Sequence, residues 1–407
     1  MDSNTHRQPI AVLGAGPAGM AVALGLLKAG HEVVVYERYP AARPAGSILN
    51  LWTPPVKALH DMGVDITDLG SPCDTRFRNA SGAIRAVVNI DTEVAARYGG
   101  GFLGLLRPDL YTKMLAAMPE GTVQFNRQLE TIESHSDHVT LRFGNGEVVK
   151  TPVLIGCDGI DSVVRKSLWG DTPKRLHNLH VMGGYTFDQS LRVPLHEVSV
   201  SHNRTVQATF CSIRSRGRTG YQWWLLEAFD DLPGREGPED ILAYGKKLGR
   251  GFKYIPELIA ATPASQTQRW VIRDRVPLNK WSKGRITLAG DAAHATSPYA
   301  AYGAGMSICD GYFIAQCLAG VDLTNNSEVE KALVKYEQLR IPHTSDQVNQ
   351  AYFLGQLFHH LPWFLRPIRD FILDWTPFLQ RKVGDRSPAD IVKQLDEMGG
   401  GILEPKT

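Results

Sequence analysis

The sequence predicts an α/β protein in which a parallel sheet is interrupted by a β-rich insertion and followed by a helical C-terminal region. Residues 9–13 form an apolar run, and a glycine-rich turn, an Ala/Leu-rich helix and a second apolar run at 32–36 follow. This βαβ order implies a parallel sheet with helices on both faces. Residues 181–229 carry the alternating, β-branched runs that are typical of antiparallel strands. A buried-strand pattern returns at 285–289, so we expect the first domain to be discontinuous.

The charge and cysteine content exclude several classes of protein. Lys and Arg total 44 and Asp and Glu total 42, a formal net charge of +2. This balance argues against nucleic-acid binding, which needs a concentrated basic face. We find no secretory signal and no apolar run near the roughly 18 residues of a membrane span. The five cysteines are scattered without a CxxC pair, which indicates free thiols in the cytoplasm and no metal site.

The first motif is the turn that follows the first predicted strand. Gly14 permits a tight turn, Gly16 allows a pyrophosphate to approach the backbone, and Gly19 lets the helix pack close to the strand. The N-terminus of this helix offers free N–H groups to phosphate. Glu37 ends the second strand, where a carboxylate can accept a hydrogen bond from a ribose hydroxyl. The sequence therefore predicts a dinucleotide site, although this motif alone does not distinguish NAD from FAD.

Two further motifs each place an aspartate after a buried strand. The run at 153–157 leads to Asp158-Gly159, and Ser162 is expected to cap the helix that follows. The run at 285–289 leads to Gly290-Asp291, followed by Pro298 and a glycine-rich segment that opens a long helix.

In this order, the three motifs resemble those of the single-component FAD-dependent aromatic hydroxylases, the para-hydroxybenzoate and salicylate hydroxylase type. The stretch GDAAHATSPYAAYGAGMSICDG is similar to the salicylate hydroxylase branch, and the resemblance spans residues 9 to 320. It implies that Glu37 binds the adenosine ribose, that Arg107 reaches the middle of FAD and that Asp291 accepts hydrogen bonds from the ribityl chain. The full implied cofactor-binding set is Gly14, Gly16, Ala18, Gly19, Glu37, Arg38, Gly46, Ser47, Arg107, Asp158, Asp291, Pro298, Gly303, Ala304 and Gly305.

The sequence departs from the family pattern at two neighbouring positions. Ala301 stands where glycine is frequent in the family, and Tyr302 stands where glutamine or a similar residue is frequent. The first change is minor unless the position needs a positive φ. Tyr302 can contact the substrate or the flavin edge instead.

The resemblance also implies a division of the chain into domains. The FAD-binding domain is expected at 1–75, 100–172 and 275–345. The β-rich substrate domain is expected at 76–99 and 173–274, and the helical C-terminal region at 346–407.

The implied reaction begins with reduction of FAD by NADPH or NADH. A flavin C4a-hydroperoxide formed with O2 then passes one oxygen atom to an aromatic or heteroaromatic ring. We see no second glycine-rich motif, so the nicotinamide cofactor is expected to bind transiently. Two alternatives stay open, namely an indole or alkene epoxidase of a biosynthetic pathway and a flavin oxidoreductase that does not insert oxygen. The protein is expected to be a monomer or a homodimer.

The substrate pocket is expected between the β-rich insertion and the flavin. The candidates for its wall are Tyr185, Tyr221, Trp223 and Tyr302. Only one of Trp223 and Trp224 can face the pocket, because neighbours on a strand point to opposite sides. His202 is expected in a solvated turn, and no catalytic base is assigned.

The aromatic tail from residue 352 is broken by Pro362, Pro367 and Pro377. We expect it to pack on the body of the protein, with contact to a membrane or a partner as the alternative.

Overall fold

The computed structural model describes residues 8–43, 48–97, 101–229 and 239–404. Gly46 and Ser47, two of the predicted cofactor residues, lie outside the described residues.

Strands make up four sheets in the described residues. They are β1 Ile10–Leu13, β2 Val33–Tyr36, β3 Ile48–Trp52, β4 Ser71–Pro72, β5 Asp74–Asn79, β6 Ile84–Val88, β7 Phe102–Leu106, β8 Val123–Gln124, β9 Leu129–Ser134, β10 Val139–Phe143, β11 Val148–Thr151, β12 Leu154–Gly156, β13 Arg175–Thr186, β14 Glu197–His202, β15 Val206–Ser215, β16 Arg218–Ala228, β17 Thr267–Asp274 and β18 Ile286–Leu288.

Helices connect and cover these strands. They are α1 Pro17–Lys28, α2 Thr53–Asp61, α3 Thr92–Arg97, α4 Arg107–Ala116, α5 Val163–Trp169, α6 Ile241–Gly249, α7 Ile255–Ala260, α8 Asp291–His294, α9 Gly303–Leu318, α10 Asn326–Gly355, α11 Arg366–Trp375 and α12 Arg386–Met398. Short 3₁₀ turns lie at Ala264–Gln266 and Pro298–Ala300, and π-helical turns lie at Gln356–His360 and Gln380–Gly384.

The central sheet is parallel and has the strand order β18-β12-β1-β2-β8. Its inner strands β12, β1 and β2 are short and almost fully apolar, as expected for strands that are covered on both faces. Helices α1 and α9 cross with their backbones in contact. A β-carbon at Gly311 would lie only 2.4 Å from the carbonyl carbon of Ala21. This sheet confirms the predicted α/β class with a Rossmann-like core.

A larger sheet of seven strands has the order β17-β13-β16-β15-β14-β5-β6. Neighbouring strands are antiparallel except for β14 and β5, which run parallel. Its strands come from residues 74–88 and 175–274, so the β-rich part is drawn from two stretches of the chain. The exact domain boundaries stay a prediction.

The chain after residue 325 is largely helical. Asn325 caps α10, because its side-chain oxygen accepts from the N–H groups of Ser327 and Glu328. After α10 the chain turns through π-helical segments into α11 and α12. Among the described residues, no helix combines the length and the apolar character that crossing a bilayer requires.

A buried carboxylate joins three distant segments beside the central sheet. Asp310 Oδ1 accepts from Arg340 Nε at 2.8 Å, and Oδ2 accepts from the Gly290 N–H at 2.9 Å and from His294 Nε2 at 2.6 Å. Burial alone would raise the pKa of the Asp310 carboxyl, but His294 and Arg340 outweigh it and hold that pKa below its ordinary value. This carboxylate therefore fixes the turn that carries Asp291.

We expect Asp310→Asn to destabilise the protein by about 3–5 kcal/mol near neutral pH, because Arg340 would stay buried without its counter-charge. A carboxyl group whose pKa is lowered by folding stabilises the folded state at pH values above its ordinary pKa of 3.8. This contribution is lost as the pH falls below that value. Denaturant unfolding of the flavin-loaded protein between neutral pH and about pH 3 should therefore show a smaller acid-induced loss in the variant.

The control for this prediction is Asp74→Asn, since the Asp74 side chain is largely exposed. An unfolding profile of Asp310→Asn that matches the control would contradict the assigned role of Asp310.

Candidate cofactor and substrate site

The glycine-rich turn joins β1 to α1, and its three glycines do different things. Gly14 has φ of +99°, and a β-carbon there would lie 2.6 Å from the Cys157 carbonyl oxygen. A β-carbon at Gly19 would lie 1.8 Å from the carbonyl oxygen of Gly14. A β-carbon at Gly16 would meet nothing within 4 Å. Gly14 and Gly19 are thus required by packing, whereas Gly16 borders open space.

Glu37 closes this turn against the end of β2. Its Oε2 accepts from the Ala15 N–H at 2.7 Å, and its Oε1 accepts from the Tyr39 N–H at 3.0 Å. The exposed Arg38 donates to the Tyr39 hydroxyl at 3.2 Å. The carboxylate is therefore fixed beside the turn, at the place where the motif predicts an acidic residue.

Asp158 follows β12 and caps the start of α5. Its Oδ2 accepts from the N–H groups of Val163 at 2.6 Å and Val164 at 3.3 Å, and Ser162 accepts from the Arg165 N–H as predicted. The other oxygen, Oδ1, is buried and has no hydrogen-bond partner among the described residues. Burial raises the pKa of the Asp158 carboxyl despite these N–H donors.

A large cavity of about 430 Å³ opens where these elements meet. It is bordered by the N-termini of α1 and α9, which both begin without a side-chain cap and so leave N–H groups available. The predicted residues on its wall are Gly16, Ala18, Arg107, Asp291, Pro298, Tyr302, Gly303 and Ala304. The predicted residues Gly14, Gly19, Glu37, Arg38, Asp158 and Gly305 lie off this wall.

The segment from Gly290 to the start of α9 forms one side of the large cavity. Gly290 has φ of 62°, and Asp291 after it has an exposed side chain. Ala301 has φ of 46°, in the left-handed region that favours glycine. The departure from glycine at this position thus has a conformational cost. Tyr302 is buried, and its hydroxyl donates to Gln394 Oε1 of α12 at 3.0 Å.

A second cavity of about 120 Å³ adjoins the first. The two share the wall residues Asn50, Trp224, Pro298 and Ala301. Most of the remaining wall of this small cavity is apolar or aromatic: Trp52, Phe77, Val88, Phe102, Val198, Val200, Tyr299, Ala351, Leu354, Phe358, Leu379 and Val383. The α10–α12 region closes it on one side. The small cavity is therefore a largely apolar, aromatic compartment that shares part of its wall with the large one.

The structure does not place Tyr185, Tyr221 or Trp223 on either wall. Trp223 is fully buried on the opposite face of the seven-stranded sheet and donates to Thr262 Oγ1 at 2.9 Å. Tyr221 lies on that same face and donates to the Val193 carbonyl at 2.7 Å. Tyr185 packs edge-on against Phe187. Because side chains alternate along β16, Trp224 faces the cavities instead.

His202 is buried at the end of β14, so the expectation of a solvated turn is wrong. Its ring stacks on Phe358 with centroids 3.7 Å apart, and it lines the small cavity. Gln207 donates to Thr209 Oγ1 at 3.1 Å, which turns the Gln207 amide oxygen toward His202 Nε2 at 3.2 Å. His202 Nε2 must then carry the hydrogen.

The other ring nitrogen of His202 is thereby left as an acceptor. Burial lowers the pKa of His202 well below its ordinary value, so the ring stays neutral at physiological pH. Its Nδ1 therefore keeps a lone pair that can accept a hydrogen bond from a ligand. The alternation of Val198, Val200 and His202 along β14 was the sequence signal for this placement.

No cluster of His, Cys, Asp or Glu suited to a metal ion occurs in the parts of the chain that the structure describes. The open cradle at Gly16 and the two uncapped helix N-termini fit a ligand that carries phosphate groups.

Comparison with known proteins agrees with this geometry. The model of the FAD binding domain family matches residues 7–351. A 3-amino-4-hydroxybenzoate 2-monooxygenase of Streptomyces platensis is 31% identical, over 88% of this chain and 90% of its own. A 3-hydroxybenzoate 6-hydroxylase of Klebsiella oxytoca is 30% identical, over 86% of this chain and 88% of its own. The structure of Klebsiella pneumoniae HpxO with FAD and uric acid has a TM-score of 0.82 at 21% identity. The match covers 96% of this chain and 99% of that one, which shows a shared fold.

The family match covers most of the chain, and the curated relatives align over nearly their full lengths. The chain therefore belongs to the FAD binding domain family and is an FAD-dependent monooxygenase of the aromatic hydroxylase type.

Proposed function

We propose that this protein uses NADPH or NADH and O2 to insert one oxygen atom into a small aromatic or heteroaromatic molecule that carries a ring hydroxyl. The observation that carries the proposal is the junction of the two cavities at Asn50, Trp224, Pro298 and Ala301. A ring bound in the small cavity would lie against whatever occupies the near end of the large one. The relatives named above act on hydroxylated benzoates.

The large cavity is suited to the diphosphate, ribityl and flavin parts of FAD, and the adenosine end would extend beyond it to Glu37. We infer that the diphosphate lies over Gly16 and the N-terminus of α1, that Glu37 anchors the adenosine end and that Asp291 accepts from the ribityl hydroxyls. The N-terminus of α9 would then meet the flavin ring, where its dipole stabilises negative charge. When bound, FAD supplies the redox chemistry, because it takes electrons from NAD(P)H and activates O2.

The small cavity contributes orientation and exclusion of water. Its aromatic wall holds a flat ring by contact area, and the surrounding apolar side chains leave little room for solvent. We propose that His202 Nδ1 accepts the hydrogen bond of the substrate hydroxyl. Such a bond increases the electron density of the ring, which favours attack by an electrophilic oxygen.

The charges around the small cavity favour an uncharged substrate. Among the described residues of its wall, Arg386 is the cation, and it is already paired with Asp346 and, at 3.6 Å, with Asp390. A substrate carboxylate would therefore enter without a free counter-charge, which costs several kcal/mol. We propose that this protein prefers hydroxylated rings without a carboxylate.

The first test measures NAD(P)H oxidation and oxygen uptake with a panel of phenols, each beside its carboxylated counterpart. We expect an uncharged ring to stimulate both rates and to gain one atom from isotopically labelled O2, detected by mass spectrometry. Reduction of the flavin without incorporation of label would instead indicate an oxidoreductase that does not insert oxygen.

Gly16→Val should lose FAD while the protein stays folded, because its β-carbon lies in the open cradle and meets no protein atom within 4 Å. We expect FAD affinity to fall by more than about tenfold, measured from the visible spectrum and by titration of the apoprotein. Gly251→Val is the matched control, since a β-carbon at Gly251 also meets nothing within 4 Å. Wild-type flavin content in a folded Gly16→Val protein would refute this placement.

His202→Phe should keep the stacking on Phe358 and remove the acceptor. We expect kcat/KM for a hydroxylated substrate to fall by about tenfold to a hundredfold, the loss of one buried hydrogen bond, with FAD content unchanged. Tyr185→Phe, outside both cavities, serves as the control. Equal kcat/KM values in the two variants would rule out the role of His202.

A further inference from the structure

Helix α11 presents its apolar side to solvent. Ile368, Phe371, Ile372 and Trp375 follow one another at helical spacing and lie on one face, where Phe371 is 61% exposed and Trp375 78% exposed. Trp363 and Phe364, just before the helix, are also exposed. We call these six residues the aromatic face. The expectation that the aromatic tail packs on the body of the protein is wrong for them.

The orientation of α11 is fixed by polar anchors on its inner side. Arg369 is buried and donates to the Phe358 carbonyl at 2.8 Å and to Asp370 at 2.6 Å. Leu373 packs in a buried cluster with Phe358, and Arg85 donates to Asp374 at 2.7 Å. Rotating the apolar side inward would break the contacts that Arg369 and Leu373 make with Phe358 and the contact of Asp374 with Arg85. The helix is therefore held with a charged residue inside and aromatic residues outside, the reverse of an ordinary surface helix.

Basic residues outnumber acidic ones in the segment that carries the aromatic face. Residues 361–382 contain the bases Arg366, Arg369, Arg381 and Lys382 and the acids Asp370 and Asp374. Each acid is paired with an arginine, Asp370 with Arg369 and Asp374 with Arg85. Arg381 and Lys382 are exposed. The segment 361–382 thus combines large exposed apolar side chains with an excess of positive charge.

We propose that the aromatic face docks on the surface of a bilayer that contains anionic phospholipids, with α11 lying in the plane of the interface. Tryptophan and phenylalanine on one side of a helix, with basic residues around them, are typical of interfacial helices. Tryptophan is favoured at the headgroup level, and each nearby Lys or Arg adds attraction to anionic lipid.

A second copy of this chain fits the same surface less well. A two-fold contact places identical patches against each other, so it would bring the same basic residues together. A bilayer of opposite charge removes that repulsion. The charge around the aromatic face therefore favours lipid as the occupant.

The test is flotation of the full-length, flavin-loaded protein with vesicles of equimolar phosphatidylglycerol and phosphatidylcholine. We expect binding that weakens with added salt and is weaker on pure phosphatidylcholine vesicles. Phe371→Glu should reduce the affinity by at least about tenfold, because it puts a negative charge in the apolar layer. Leu195→Glu is the matched control, since Leu195 is similarly exposed (54%) outside the aromatic face.

Both variants replace exposed residues, so flavin content and circular dichroism should match the wild type and show that folding is intact. Absence of binding to anionic vesicles would overturn the proposal, as would equal binding by the two variants. Sedimentation of the protein without lipid tests the remaining possibility, a dimer formed through the aromatic face. A dimer that Phe371→Glu dissociates and Leu195→Glu preserves would assign the aromatic face to a second copy and overturn the lipid assignment.

Discussion

The buried carboxylate of Asp310 holds the cofactor half of this protein together. It lies on α9, accepts from an arginine of α10 and receives the backbone N–H of Gly290. Gly290 lies 20 positions and Arg340 lies 30 positions from Asp310 along the chain. Because Gly290 precedes Asp291, the position of the exposed Asp291 carboxylate on the wall of the large cavity depends on the buried one. A structural ion pair thereby sets part of the geometry of this cavity.

The N-terminal motif was predictable because its constraints are local. Gly14 has a positive φ, and Gly19 lies in close contact with the backbone of Gly14. Glu37 has only to follow the end of β2 to accept from the N–H of the turn. The identity of the cofactor followed from three motifs in order and from their resemblance to a family. Residues off the cavity wall, such as Glu37 and Asp158, still belong to these motifs because they fix the turns on which the wall residues stand.

The wall of the small cavity was much harder to predict, because it depends on long-range pairing. Alternation shows that Trp223 and Trp224 face opposite sides, but only the packing of the sheet shows which side meets the cavities. His202 is buried because Phe358, from a distant helical segment, stacks on it. Nothing near His202 in the sequence indicates that contact. The C-terminal region supplied much of this wall, and its aromatic residues gave no pattern that separated the inner ones from the exposed ones.

Ala301 stands at the junction of the two cavities with a left-handed backbone. A β-carbon in this conformation costs about 1–2 kcal/mol, and it also narrows the range of angles that the backbone can visit compared with glycine. The loop at the junction of the two cavities is therefore stiffer in this protein than a glycine loop would be. With FAD bound as proposed, a stiffer loop would open less often to solvent, so we expect fewer electrons from the reductant to escape as free peroxide instead of ending in product. The strained alanine would thus favour tight coupling of reductant use to product formation.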